Sequence, residues 1–165
     1  FHLENTQTLM IDEQRVSSTS VREALFIGDM KKAEKLINRP YSMVGRVFHG
    51  DKRGRVLGFP TANILLHRCV NPLNGVYAVK LIMNEGKTNQ IEYKGVANIG
   101  RRPTVDGDRE QLEVHLFDFN QQIYGIAVVV HFLHFIRAEQ KFSDIEFLKQ
   151  QITKDIDSAK QFFAN

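Results

Sequence analysis

The chain has 165 residues, of which 42% are hydrophobic and 25% charged, with a net charge of +3 and a single cysteine, Cys69. This composition is typical of a soluble globular domain that buries its own core, and one cysteine excludes an intrachain disulfide and fits a reducing, cytoplasmic compartment. The longest apolar runs, such as residues 126–130, are too short to span a bilayer. The positive charge suits a protein that handles polyanions but is weak evidence for nucleic-acid binding.

The N-terminal part of the chain contains the signals of two short helices. Ser20 and Glu23 have the spacing of a capping box, with Ser20 as N-cap and Glu23 as the third helical residue. Asp29 is placed to cap a second helix, which Asn38 ends. The sequence therefore predicts a helical pair over residues 20–38, and we interpret this pair as a bridge between two domains.

The middle of the chain has the pattern of an all-β domain. From residue 42 to residue 137, short runs rich in Val, Ile, Tyr and Phe alternate with clusters of Gly, Asn and Asp. The polar segment of residues 100–111 is predicted to be a loop. Strands outnumber helices here, which favours a closed antiparallel barrel over a βαβ sheet. The predicted strands lie near residues 42–49, 61–66, 75–83, 91–99, 112–119 and 126–136.

A long amphipathic helix is predicted at the C-terminal end, over residues 143–163. Ser143 and Glu146 have the spacing of a second capping box. Apolar residues then recur every three or four positions up to Ile156, with Phe162 further along, which predicts a helix that lies with one face against the barrel. They are Ile145, Leu148, Ile152, Ile156 and Phe162.

The densest glycine region of the chain, residues 45–58, is followed directly by Phe59-Pro60-Thr61-Ala62-Asn63. Glycines allow the backbone to approach a ligand closely and to direct consecutive N–H groups at it. Thr61 and Asn63 lie two residues apart, so on a strand their side-chain oxygens share one face and suit magnesium and phosphate. The alternative is a glycine-rich hairpin of a small β-domain. The spacing of a P-loop or a dinucleotide-binding fingerprint is absent.

Glu113 is the candidate general base. Strand alternation separates it from Leu112 and Val114, so its carboxylate serves as a base if its face lines a pocket. The alternative is an ordinary solvent-exposed face. Glu113 and His115 share that face, but no third ligand at a suitable spacing supports a zinc site.

Four arginines are candidates for contacts with phosphates. Arg101, Arg102 and Arg109 lie in the predicted polar loop, which either closes over phosphates or is simply solvated. Arg137 ends the last predicted strand, where it is expected to pair with Glu139 or with a ligand phosphate.

These motifs together resemble the riboflavin kinase domain of the bacterial bifunctional riboflavin kinase/FMN adenylyltransferase. The resemblance runs in order through most of the chain, and its most specific string is Leu57-Gly58-Phe59-Pro60-Thr61-Ala62-Asn63. The other matching motifs are Gly45-x-Val47-x-x-Gly50, Gly54-Arg55, Gly75-Val76-Tyr77-Ala78, Asn98-Ile99-Gly100-x-x-Pro103-Thr104, Glu113-x-His115, Tyr124-Gly125 and Arg137-x-Glu139-x-Lys141-Phe142.

The resemblance implies a mainly β protein, a six-stranded antiparallel Greek-key barrel with a long C-terminal helix. It also implies transfer of the ATP γ-phosphate to the 5′-hydroxyl of riboflavin, with FMN and ADP as products and Mg²⁺ as cofactor. Glu113 would be the base, Thr61 and Asn63 would hold the metal, and Asn98, Gly100 and Arg137 would lie on the flavin side. The implied nucleotide-binding residues are Gly45, Gly50, Gly54, Arg55, Gly58, Phe59, Pro60, Thr61 and Asn63.

The start of the chain resembles a second part of the same family. The run Ser17-Ser18-Thr19 is similar to the motif that closes the adenylyltransferase domain, whose His-x-Gly-His motif is missing here. The resemblance therefore implies the tail of that domain in residues 1–22, a helical linker in residues 23–40 and a riboflavin kinase domain in residues 41–165. The intact parent would also make FAD, and this chain alone would not.

Two other classes of function remain as alternatives: a non-catalytic flavin-binding regulatory barrel and a basic nucleic-acid-binding module. Neither needs a pair of metal ligands facing a base, so the combination of Glu113 with Thr61 and Asn63 argues against both. We expect riboflavin, FMN, ATP and ADP as partners, with neither nucleic acid nor a membrane.

Overall fold

A closed six-stranded antiparallel barrel forms the body of the protein. The computed structural model describes residues 10–11, 14–50, 54, 57–66, 71–84, 88–104 and 107–164. A two-stranded ribbon, β1 (Met10–Ile11) and β2 (Gln14–Arg15), precedes the barrel. The barrel strands are β3 (Tyr41–Phe48), β4 (Ala62–Leu65), β5 (Gly75–Met83), β6 (Ile91–Thr104), β7 (Gly107–Leu116) and β8 (Ala127–Arg137).

The strand order around the barrel is β3-β4-β7-β6-β5-β8. β5, β6 and β7 form a meander, and β8 returns to lie beside β5, which is the Greek-key order. The predicted six-stranded Greek-key barrel is therefore confirmed. The sheet closes into a barrel because β8 pairs with both β3 and β5.

The main core fills the inside of the barrel. Alternate residues of each strand point inward, and removing their apolar surface from water stabilises the fold. Five fully buried members are Leu81, Leu112, Val114, Val130 and Phe132.

A second apolar cluster lies on the outside of the barrel, under the C-terminal helix α3 (Ile145–Ala164). Ile156 and Ala159 of α3 pack there on Val76, Ala78 and Val96. Because α3 covers its outer face, β5 is buried on both faces, whereas an uncovered antiparallel strand alternates. α3 therefore divides the outer surface of the barrel into a covered part and an open part.

The two N-terminal helices are α1 (Ser18–Phe26) and α2 (Met30–Ile37). The prediction that Ser20 caps α1 is wrong, because Ser17 is the N-cap and forms a capping box with Ser20. In a run of consecutive hydroxyl residues, several side chains compete for the same backbone donors, and the Ser17–Ser20 pair satisfies them reciprocally.

The predicted limits of α2 are confirmed. The Asp29 side chain accepts a hydrogen bond from Lys32 N–H, and Asn38 ends the helix in a left-handed conformation, with φ of 54°. Ala33 and Leu36 of α2 belong to the main core, so α2 docks firmly on the barrel.

The start of α3 differs slightly from the prediction. The helix begins at Ile145, and the Asp144 side chain accepts from Glu146 N–H at 2.6 Å. Asp144 therefore acts as the cap predicted for Ser143, because its carboxylate is a strong acceptor one residue closer to the first turn.

The predicted polar loop of residues 100–111 is instead part of a long hairpin. β6 extends to Thr104 and β7 begins at Gly107, so paired strands continue beyond the apolar core. Backbone pairing does not need apolar side chains, and for this reason the hydrophobic pattern missed the extension. The side chains of Arg101, Arg102 and Arg109 lie outside the part of the structure that is described.

Candidate active site

The strand register places four of the predicted site residues in one row across the barrel. Asn63 of β4 pairs with Glu113 of β7, and Glu113 pairs with Asn98 of β6. Asn98 in turn pairs with Val76 of β5, and Val76 pairs with Arg137 of β8. Cross-strand partners point to the same face, so a row built from five strands presents these side chains side by side.

This row lies on the outer face of the barrel. In β7, Leu112 and Val114 are fully buried among the inward residues, as the alternation predicted. Gln111, Glu113 and His115 therefore point outward, and all three are only partly buried. Val76 in the same row packs on α3 rather than in the barrel core.

A cavity of about 340 Å³ opens between this row and α3. Its polar wall includes Asn98, Gln111, Glu113 and Arg137, and Gly100 lies beside them. Apolar side chains contribute the larger exposed area of the wall, and they include Leu57, Phe59, Val76, Val96, Phe142, Leu148 and Ile152. Further polar lining residues are Thr61, His115, Glu139, Gln140 and Asp155. A slot with apolar walls and a few polar groups suits an aromatic ligand with a polar extension. We call this space the α3 cavity.

A second cavity of about 280 Å³ adjoins the first and has a more polar lining. Gly50, Pro60, Asn63 and Tyr124 contribute to it, and Thr61 lines both cavities. Thr61 therefore marks where the two spaces meet. We call the second space the Asn63 cavity.

Gln111 joins the two cavities through hydrogen bonds that the sequence did not reveal. Its side-chain Nε2 donates to Asn63 Oδ1 at 2.6 Å and to Glu113 Oε1 at 2.8 Å. The available signal was its position two residues before Glu113, which puts both side chains on one strand face. Its contact with Asn63 depends on a pairing between distant strands and has no local signal.

Two glycines bring the backbone close to this site. The nearest atoms to a Cβ added at Gly50 would belong to the Asn63 side chain, and at Gly54 they would belong to the Phe59 carbonyl and Thr61. Any larger residue at these positions would displace the groups that line the cavities. Gly58 has φ of +90°, a conformation that L side chains rarely adopt.

Not every predicted nucleotide-binding residue reaches a cavity. Gly45 lies within β3 opposite Val128, where an added Cβ would strike Ile64, and it lines neither the α3 cavity nor the Asn63 cavity. Close packing of β3 on β4 is sufficient reason for a glycine there. Arg55 lies outside the described residues.

Arg137 pairs with a carboxylate that was not predicted. Its Nε donates to Asp155 Oδ1 at 2.9 Å, and its Nη2 donates to Asp155 Oδ2 at 2.8 Å. Asp155 is 4% exposed and also accepts from Gln151 Nε2 at 2.9 Å. The expected pairing with Glu139 is wrong, because a helical carboxylate from α3 matches the guanidinium in a bidentate geometry. The guanidinium also lies 5.8 Å from the ring centre of Phe142.

His115 fixes the segment that leads into β4. Its Nδ1 lies 2.9 Å from the carbonyl oxygen of Pro60, and because a carbonyl only accepts, the ring donates its Nδ1 proton. The ring also contacts Phe59 edge-on, with 6.0 Å between centroids. Thr61 is thus held by its neighbours at the junction of the two cavities.

Two observations bear on metals and membranes. Within the described residues, no group of three His, Cys, Asp or Glu side chains is placed to hold a metal ion. Among the described helices, none is both long and apolar enough to cross a membrane.

Comparison with known families gives a match to the riboflavin kinase family (flavokinase) over residues 37–163. The chain is 53% identical to the bifunctional riboflavin kinase/FMN adenylyltransferase of Haemophilus influenzae, and 45% identical to that of Escherichia coli K12. Each alignment covers 99% of this chain, but only 52% and 51% of the respective relative. The chain thus spans about half the length of these curated relatives.

Two solved structures resemble the protein in fold. A structure described as a macrolide-efflux protein from Streptococcus pneumoniae matches with a TM-score of 0.78 and 37% identity, over 90% of this chain and 47% of that one. Riboflavin kinase from Trypanosoma brucei matches with a TM-score of 0.54 and 24% identity, over 76% of this chain and 81% of that one. The second likeness concerns the fold alone.

Proposed function

Because the chain belongs to the riboflavin kinase family, we propose that it transfers the γ-phosphate of ATP to the 5′-hydroxyl of riboflavin, giving FMN and ADP. The observation that carries this proposal is the cross-strand row of Asn63, Glu113, Asn98 and Arg137 beside the α3 cavity. In this row Glu113, the candidate base, has the neutral side-chain oxygen of Asn63 on one side. On the other side lies the α3 cavity, which is large enough for an aromatic ring. A non-catalytic flavin-binding barrel has no need of this combination.

Riboflavin is assigned to the α3 cavity. The apolar walls of this cavity, among them Phe59 and Val96, suit the isoalloxazine ring. Asn98, Gly100 and Arg137 supply hydrogen-bonding groups near the ring or its ribityl chain. The ribityl end would point toward Glu113, the lining residue that lies next to Asn63 in the strand register.

ATP is assigned to the Asn63 cavity and the glycine-containing segment beside it. Gly50 and Pro60 line this cavity, and Gly50 gives the phosphates close access to backbone N–H groups. Gly54 and Phe59 line the α3 cavity instead, and Gly54 lies against Thr61, where the two cavities meet. Gly45, Arg55 and Gly58 stay in the proposed nucleotide-binding set on the resemblance alone. Thr61 would face both substrates, because it lines both cavities.

The residues present suit Mg²⁺ that arrives with ATP. Thr61 and Asn63 offer neutral oxygens, and Asn63 is 6% exposed and hydrogen-bonded, so its amide is held in place. Magnesium usually keeps several waters and binds through a few protein oxygens together with substrate phosphates. When bound, it would neutralise charge on the transferring phosphoryl group.

Glu113 is assigned as the general base. It would accept the 5′-hydroxyl proton while the riboflavin oxygen bonds to the γ-phosphorus and the bond from that phosphorus to the β-phosphate oxygen breaks. ADP leaves with the electron pair of the broken bond. Phosphoryl transfer depends mainly on positioning and charge stabilisation, so the protein must chiefly hold the hydroxyl and the phosphate in line.

The domain assignment extends the proposal to the whole protein. We assign residues 1–22 to the tail of an FMN adenylyltransferase domain, residues 23–40 to a linker and residues 41–165 to the kinase domain. The whole protein would then also convert FMN to FAD in the cytoplasm. The names of the curated relatives and the single cysteine support this assignment.

The test is to incubate the chain with riboflavin, ATP and Mg²⁺ and to separate the flavins by chromatography. We expect FMN to form with equimolar ADP, and no FAD to form when FMN replaces riboflavin. Flavin binding without FMN formation would favour the regulatory barrel instead. FAD above background in a clean preparation would overturn the division of activities between the domains.

A further inference from the structure

Gln111 holds together two groups to which the proposed function gives different tasks. We propose that Gln111 is a positioning residue that ties the carboxylate of Glu113 to the amide of Asn63 and so sets the base relative to the metal side of the site. This inference rests on the proposed function. It assigns a role to a side chain that does not itself react.

The two hydrogen bonds use the full donor capacity of one nitrogen. Gln111 Nε2 carries two hydrogens, and its acceptors are Asn63 Oδ1 at 2.6 Å and Glu113 Oε1 at 2.8 Å. The first distance is slightly shorter than the usual range for N–H···O bonds, and the second lies within it. The Gln111 amide therefore bridges Asn63 Oδ1 and Glu113 Oε1, which are both acceptors and cannot hydrogen-bond to each other.

The bridge spans a weakly joined part of the barrel. β4 and β7 pair at only three positions, Ala62 to Ile64, whereas β6 and β7 pair at ten. Backbone pairing sets Asn63 opposite Glu113, but so short a ladder leaves the orientation of the two side chains to other contacts. Gln111 lies in the long β6–β7 pairing, opposite Gly100. Its hydrogen bond to Asn63 links this well-paired part of the sheet to β4.

The bridge also orients each acceptor. An amide oxygen has two lone pairs, so Asn63 Oδ1 accepts from Gln111 and retains one for a cation. The bond to Glu113 Oε1 restricts rotation of the carboxylate that is to face the hydroxyl. Glutamine suits this task because it donates to both oxygens without adding a charge.

Gln111→Met is the main test, because methionine has nearly the same length and no N–H donor. We expect its kcat to fall about tenfold, since a misplaced base still retains its charge, while the KM for riboflavin changes less than about threefold. We also expect calorimetry to give weaker binding of ADP with Mg²⁺. Gln150→Met, on the exposed side of α3, is the matched control and should equal the wild type in all three measurements.

Two double-mutant cycles separate positioning from general damage. The first cycle compares kcat. Gln111→Met should lower kcat by a much smaller factor in a Glu113→Gln background than in the wild type, because the base that Gln111 positions is gone. The second cycle compares the affinity for ADP with Mg²⁺. Gln111→Met should weaken this affinity much less in an Asn63→Ala background than in the wild type. Additive effects in either cycle would overturn the bridge, and so would wild-type kcat in Gln111→Met.

Gln111→Glu provides a second variant if methionine perturbs folding. It keeps the size of the side chain but replaces the N–H donors with oxygen acceptors beside Asn63 and Glu113, so its kcat should fall at least as far. Wild-type kcat in a folded Gln111→Glu chain would also overturn the proposal. If the wild-type chain forms no FMN at all, the proposed function fails. If the wild-type chain is active but the double-mutant cycles are additive, only the role of Gln111 fails.

Discussion

The inner and outer faces of β7 alternate along the same strand but hold different groups. Inward, Leu112 and Val114 are completely buried in the barrel core. Outward, Gln111 and Glu113 line the α3 cavity and share a hydrogen bond. The inward side chains of β7 therefore stabilise the barrel, and its outward side chains line the candidate active site. Substitutions only one residue apart should separate these two contributions.

β5 shows what the outer face becomes where α3 packs directly on a strand, although Val76 also reaches the edge of the α3 cavity. Its outward residues Val76 and Ala78 pack on α3, and the strand is buried on both faces. The difference between β5 and β7 comes from α3, which packs tightly on one strand and leaves space beside the other. The predictions below test this division between an inner stabilising face and an outer chemical face.

The largest effect should come from the inner face. Leu112→Ala removes a fully buried side chain and leaves a cavity, so we expect the free energy of unfolding to fall by about 3 kcal/mol. The kcat per folded molecule should change little. Urea denaturation and active-site titration measure the two quantities. Wild-type stability in this variant would show that the inner face of β7 does not hold the barrel together.

The next effect should come from the neighbouring outward residue. Glu113→Gln nearly preserves shape and removes the charge, and we expect turnover to fall about 100-fold, at the lower end of general-base contributions. The melting temperature and the affinities for riboflavin and ATP should change much less. If more than about a third of the wild-type turnover remains, far above what loss of a general base leaves, then another group accepts the proton, and His115 is the next candidate.

The contact of α3 with the site provides an intermediate case. Asp155→Asn removes the charge that pairs with Arg137 and should lower the free energy of unfolding by about 2 kcal/mol, as for hydrogen bonds to charged groups. It should also raise the KM for riboflavin, because the guanidinium loses its bidentate partner in the cavity wall. Asp157→Asn, on an exposed position of the same helix, is the control. Equal behaviour of the two variants would exclude a special role for Asp155.

A smaller effect is expected at the metal side of the row. Asn63→Ala should raise the Mg²⁺ concentration needed for half-maximal activity about tenfold, since one oxygen ligand among several is lost. Turnover should also fall while the barrel stays folded. Asn89→Ala, at an exposed position between β5 and β6, is the control. Wild-type kinetics of Asn63→Ala at limiting Mg²⁺ would remove Asn63 from the metal site.

The smallest effect concerns a titratable group in the core. Burial raises the pKa of Tyr77 to about 12, while its hydroxyl donates to the Asn74 carbonyl at 3.1 Å. Above about pH 10 the unfolded chain loses this proton and the folded chain retains it, so stability falls as the pH rises from 10 toward 12. The loss at pH 10.5 should be slightly under about 1 kcal/mol. Tyr77→Phe should abolish this component of the pH dependence, and an unchanged slope would contradict it.

Local signals predicted much of this molecule. The period-two pattern of β7 correctly separated Leu112 from Glu113, and Asp29 and Asn38 correctly marked the ends of α2. Each of these depends on residues within a few positions of one another. Where several local signals competed, as in the serine-rich start of α1, the prediction placed the cap three residues too late.

The features that escaped prediction are non-local. The Arg137–Asp155 pair joins β8 to α3, and the Gln111–Asn63 bond joins β7 to β4 across 48 positions of sequence. Both depend on strand register and helix docking, which no single segment encodes. The extension of the β6–β7 hairpin escaped for a related reason, because backbone pairing leaves no trace in hydrophobic periodicity.

A crystal structure of the chain with riboflavin, ADP and Mg²⁺ would test the central claim most directly, namely that the outer face of the barrel is the active site. We predict the isoalloxazine ring in the α3 cavity and Mg²⁺ bound by Thr61 and Asn63. The ribityl 5′-oxygen should lie within about 3.2 Å of the Glu113 carboxylate, the reach of a general base. A flavin bound elsewhere, or a 5′-oxygen directed away from Glu113 with all three ligands present, would contradict the account.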